Sequence, residues 1–210
     1  MADVVNVVWF LRGYSQSEIT SLKRDIDGID DCTLTEIGTA TFAKLAEDCE
    51  DAYLILLNQK KLSTETKGGS IPLCQHGLMV MKSIVKFVHL LDNVNKFMDY
   101  AKIISDMHLG IGIKSSHIMS LMACIRFALL RQLAKSNGLL KSTNGHAKLT
   151  HSQSCCNRKC SVPRIVRGDV TESDNLLFNG ESFDAWNKFF TTLSLAMVNC
   201  MDRSTASKHK

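Results

Sequence analysis

His76-Gly77-Leu78-Met79-Val80-Met81 opens the stretch whose reading decides the fold. Around it Leu73, His76, Gly77, Val80, Ile84, Phe87, Val88 and Leu91 recur at spacings of three and four. Residues so spaced share one face of an α-helix, so the pattern predicts a helix with one apolar side. Asp92-Asn93 ends it, and Asn93 suits the cap of a next helix through Phe97 to His108. Gly110 and Gly112 then break the chain. Ser115-Ser116 open a long helix through Ile118, Leu121, Met122, Ile125, Leu129 and Leu133. His76 and His108 lie 32 residues apart (108 − 76), each on an apolar stripe. Two such histidines on neighbouring helices can point at one another across a flat hydrophobic body.

Helical signals extend in both directions. Ser15 to Ile26 is a candidate first helix with Ser17 as its cap, and Thr35 to Glu47 carries Ile37, Ala40, Phe42, Leu45 and Ala46. Asp51 to Lys61 is short and less regular. Lys67-Gly68-Gly69-Ser70 reads as a loop, with Ser70 capping a helix whose first turn contains Pro72, where the missing N–H costs nothing. Between Ser136 and Gly180 no periodicity persists, and segment 137–180 reads as an inserted, disordered loop. A last helix starts near Ser182. The expectation is an all-α protein of six to eight packed helices. Residues 1–14 form an N-terminal extension, 15–203 the domain with its insert, and 204–210 a basic tail.

Composition narrows the function classes. A chain of 210 residues suffices for one sizeable core rather than two full domains. Only Pro72 and Pro163 interrupt it, which permits long helices. The net charge of +4 is spread over Arg158-Lys159, Arg164, Arg167, Arg203, Lys208 and Lys210. That spread suits flexible basic segments, not the clustered face that nucleic acid requires, so no nucleic-acid partner is expected. The apolar run Val4 to Leu11 follows Asp3 rather than a basic region and is too short to span a bilayer. It is read as a local extension, packed or disordered, that could also pair as a strand or dock on a partner. Eight scattered cysteines make no disulfide scaffold, so a reducing, cytoplasmic setting is the default.

The stretch from His76 to Leu133 resembles the core of a globin. His76-Gly77 with Val80 four residues after the histidine resembles the distal side of a haem pocket. Met107-His108-Leu109-Gly110-Ile111-Gly112-Ile113 resembles the proximal side, and the 32-residue interval is similar to that of nerve-type globins. Ile37 to Leu45 resembles the second globin helix, with Gly38 at a helix crossing. Phe183-Asp184-Ala185-Trp186 with Phe189, Phe190, Leu193 and Met197 resembles the start of the last one. The likeness covers about 20–136 plus 181–203. It departs from the family near Leu56, where a phenylalanine normally stacks on the haem, and in Leu22 to Ile26, where a tryptophan is usual.

The resemblance implies haem b, with His108 as proximal iron ligand and His76 on the distal side as hydrogen-bond donor or sixth ligand. It implies walls from Phe42, Leu56, Val80, Ile104, Ile113, Ile118 and Leu121. The second N–H of His108 would donate to a backbone carbonyl one turn back, near Ile104. The partner would be dioxygen or another diatomic gas, for binding or transport, with no set oligomeric state. Two other readings stand beside it. One is a redox enzyme or sensor using the same iron for nitric oxide or peroxide chemistry, which ranks lower because no arginine or carboxylate near the distal motif suggests acid–base work. The other is a helical interaction module that kept the fold and lost haem. Val80, Ile113 and Leu121 sit at positions any helical core fills with aliphatics, and His89 and His117 read as surface or rim residues. In the insert His146, His151, Cys155, Cys156 and Cys160 lack a clean CxxC pair, which favours loose thiols over a zinc site. Cys49 and Cys74 flank the short helices and could form a bridge.

Overall fold

The computed structural model describes residues 2–65, 73–136 and 180–208. Those residues form eight α-helices and no strand, as the periodicity predicts. They are α1 (Ala2–Arg12), α2 (Gln16–Asp27), α3 (Asp31–Asp48), α4 (Glu50–Glu65), α5 (Leu73–His89), α6 (Val94–Gly110), α7 (Ser115–Ser136) and α8 (Gly180–Lys208).

Local chemistry sets most boundaries. Ser15, not Ser17, caps α2: its hydroxyl accepts from the N–H of Glu18, whose carboxylate accepts from the N–H of Ser15. The glutamate three residues on completes this reciprocal box, which Ser17 lacks. Asp30 accepts the N–H of Thr33 at 2.7 Å, so α3 starts four residues before the expected Thr35. Asn93 caps α6 as expected, accepting from Lys96 at 3.1 Å. α6 continues through Gly110, and Gly112 makes the turn at φ 84°, a region open to glycine. α4 is a full sixteen-residue helix where a short irregular one was expected.

The N-terminal extension is packed rather than disordered: α1 and the residues after it contribute to the core. Val7, Leu11 and Tyr14 recur at helical spacing and are buried, and the Tyr14 hydroxyl meets that of Thr192 on α8 at 3.2 Å. The expected basic tail is helical as far as Lys208. Of the expected insert 137–180, Gly180 begins α8, and residues 137–179 with their cysteines and histidines, like the Ser70 cap with Pro72, lie outside the described residues. Cys49 and Cys74 are not joined by a disulfide.

Two sets of contacts build the core. α8 lies against α1, α2, α6 and α7, and α3 lies against α4, α5 and α7. Trp186, Phe189, Leu193 and Met197 form the fully buried side of α8. Its first turn is anchored to α2, where Asp25 accepts from Ser182 at 2.6 Å and from the Trp186 indole at 3.1 Å. α3 and α5 meet at two glycines. A Cβ built on Gly38 would lie 2.6 Å from the Cα of Gly77, and one built on Gly77 would lie 2.9 Å from the carbonyl carbon of Gly38. No side chain fits between these backbones. α7 is the one helix among the described residues long and apolar enough to cross a bilayer, but its apolar side belongs to this core.

Candidate functional site

The glycine crossing places the first functional side chain. Gly77 is held against Gly38, so His76 next to it is fixed in register with Phe42, one turn past Gly38 on α3. The two rings stack, with centroids 5.4 Å apart and planes 23° from parallel. Phe42 is 1% exposed, so its ring is a fixed wall.

The second histidine is fixed from α6. His108 Nδ1 lies 2.7 Å from the carbonyl oxygen of Ile104, one turn back, as expected for a second N–H. In the neutral ring this leaves Nε2 with its lone pair, the form that ligates a metal. The carbonyl of His108 itself accepts the N–H groups of Ile111 and Ile113, which closes the end of α6 around the histidine. Ser105, three residues earlier, donates to the Met197 carbonyl at 3.1 Å and ties this part of α6 to α8.

His76 and His108 line one pocket together with Phe42, Leu45, Ala52, Leu56, Ile113, His117, Ile118 and Leu121. Phe42, Leu56, His76, His108, Ile113, Ile118 and Leu121 were expected there from sequence. Val80 and Ile104 do not line it. Both are half-buried against the core, and Ile104 serves through its backbone carbonyl instead. Leu45 and Ala52 were missed, although Leu45 lies in the same helical phase as Phe42 and carried a signal. Ala52 carried none.

His117 was also missed, and its expected surface or rim position is corrected. It is 8% exposed, and its Nδ1 accepts the backbone N–H of Lys114 at 3.3 Å. His89 is exposed, as expected, and meets Asp27 at 2.8 Å.

The donor set suits haem: an imidazole with a free lone pair, a second imidazole on α5, and walls that are apolar but for His117. The width is smaller than a porphyrin. The cavity measures about 10 Å³, about the room for a single water. A flat macrocycle enters only if a wall moves. α4 is the wall expected to move most readily, because among the described residues its extensive packing is against α3 alone. Apolar side chains also stand unburied on the two histidine-bearing helices: Met79 on α5, and Ile103 and Met107 on α6, each more than half exposed. Tyr100 on α6 reaches Ser83 on α5 at 3.1 Å, which ties the two helices together.

Among the described residues no group of three or more histidine, cysteine, aspartate or glutamate side chains converges on a metal-ion site. No protein-family model matches this chain. No curated protein matches it either.

Proposed function

We propose that this chain is a globin-like protein that binds haem b between α5 and α6 and takes dioxygen or another diatomic gas there, in a reducing, cytoplasmic setting. The observation that carries the reading is the shared pocket of His76 and His108, with the His108 ring held by Ile104 at 2.7 Å. Haem, when bound, would supply an iron that takes an imidazole nitrogen and a diatomic gas. His108 would hold the group through Nε2, with the Ile104 carbonyl fixing the ring's tautomer and raising its basicity. His76 on α5, oriented by Phe42, would serve as a hydrogen-bond donor or a second imidazole ligand. Leu45, Ile113, Ile118 and Leu121 keep the site dry.

A second reading is favoured by the narrow cavity: a helical interaction module whose pocket has closed over and holds no haem. One titration separates the two. Purified protein mixed with haem should develop an intense Soret band that saturates at one haem per chain, and absence of that band supports the closed module. His108→Ala should then abolish stable haem binding, whereas His76→Leu should keep haem and alter the reduced, gas-free spectrum. A low-spin, bis-imidazole spectrum in the parent assigns His76 as sixth ligand, and a five-coordinate one assigns it as donor only.

A further inference from the structure

Thr39, Thr41, Ser120 and Thr191 each donate the side-chain hydroxyl to the carbonyl four residues back in their own helix. That is the usual outlet for a helical hydroxyl, and it fastens the helix to nothing else. Ser105 departs from the pattern. It is fully buried, like Thr41, yet its hydroxyl crosses to α8 and donates to the Met197 carbonyl at 3.1 Å. The choice of partner matters because of how α6 is held. Among the described residues its extensive packing is against α8 alone. Its first half also meets α5, where Phe97 and Tyr100 contact Phe87. The second half, which carries Ser105 and His108, is the part that Ser105 joins to α8.

Apolar packing is non-directional, so by itself it lets a helix roll about its axis. A buried hydroxyl bonded to a carbonyl of another helix does not, because the bond weakens steeply with angle. Ser105 stands between Ile104, whose carbonyl orients the His108 ring, and His108 itself. A roll of α6 would turn ring and carbonyl together relative to Ile118 and Leu121, the α7 side chains that line the pocket. α8 packs on α7 as well, so the Ser105 bond refers the rotation of α6 to that wall. α4 packs extensively elsewhere, on α3, and its movement leaves this fastening in place. We propose that Ser105 is a positioning residue for His108: its bond to Met197 fixes the rotation of α6 and thereby the direction in which the imidazole is presented. This rests on the haem reading, in which His108 ligates the iron.

The full chain is compared with Ser105→Ala and, as control, Thr41→Ala. Both changes delete one fully buried hydroxyl, but only the first deletes a bond between helices. In the haem-free protein, Ser105→Ala should speed amide exchange at Ile111 and Ile113, whose N–H groups close on the His108 carbonyl. About fivefold is expected for one hydrogen bond of ordinary net strength. Thr41→Ala should leave those two amides at the parent's rate. In the oxidised, haem-loaded protein the electron paramagnetic resonance line shape senses the angle of the imidazole plane. Ser105→Ala should spread that line over a wider range of g values, and Thr41→Ala should keep the parent's. Loss of haem uptake in Ser105→Ala alone also supports the proposal. A parent line shape in Ser105→Ala overturns it, as does exchange at Ile111 and Ile113 that rises alike in both variants. In those two cases the haem reading survives. A parent that takes up no haem overturns that reading and this proposal with it.

Discussion

Gly38 and Gly77 let α3 and α5 meet backbone to backbone, whereas the described side chains of α4 include one fully buried hydrophobic, Ala52, with Tyr53, Ile55 and Leu56 only partly buried against the core. Both regions wall the same pocket. The first cannot widen without parting two helices, so Phe42 and His76 stand as a rigid side. The second buries less among its described side chains and is expected to open more readily. The difference places the functional precision on α3, α5 and α6 and the adaptability on α4.

The largest expected effect comes from the rigid side. Phe42→Ala should lower unfolding free energy in urea by about 3–5 kcal/mol, because it empties a fully enclosed aromatic site and removes the stack on His76. A loss under about 1 kcal/mol would show that α3 can collapse onto α5 and that the wall is not rigid. Gly38→Val should cost about 3 kcal/mol by forcing the two backbones apart. In native-state hydrogen exchange it should expose the middle of α5 before α8.

Leu56→Ala tests the soft side. Leu56 is only partly buried, so we expect a loss of about 1 kcal/mol and a wider pocket that takes up haem faster than the parent. The amides of α4 should exchange faster than those of α3 before and after the change. Equal protection in the two helices would erase the contrast. Cys124 gives an independent probe of the fixed core: burial first, and then the Asp48 carboxylate, push its thiol up to about 11. It should resist alkylation at neutral pH until the protein unfolds globally, even when α4 opens.

The smallest effect lies outside the pocket, where Lys23 on α2 meets Asp92 after α5 at 2.9 Å. The Lys23 hydrogen bond holds the Asp92 carboxyl below its usual range. A carboxyl depressed in the folded state stabilises it above the unfolded pKa and loses that effect as pH falls through the folded one. Asp92→Asn should thus cost about 0.5 kcal/mol at neutral pH, since the pair is solvent-screened. The difference from the parent should vanish in acid below the ordinary carboxylate range. A cost that persisted there would mean the carboxylate acts by packing rather than by charge.

Sequence by itself determined the all-α class, most helix positions, the Asn93 cap and the placement of His76 and His108 on separate apolar stripes, while the His108–Ile104 bond followed from the family resemblance. These are local matters. A period of three and four, a capping side chain or a carbonyl one turn back is decided within a few residues of chain. Tertiary structure alone decided that Leu45 and Ala52 line the pocket and Val80 does not, that Val7 and Leu11 belong to the core, and that His117 is buried with its Nδ1 on the Lys114 N–H. Each of those depends on the angle and height at which two helices cross. The crossing at Gly38 and Gly77 is set by the volume of side chains far apart in sequence, and periodicity within one helix carries no record of it. The width of the cavity belongs to the same class, because it is the residue left when α4, α5 and α7 have each found their own closest packing.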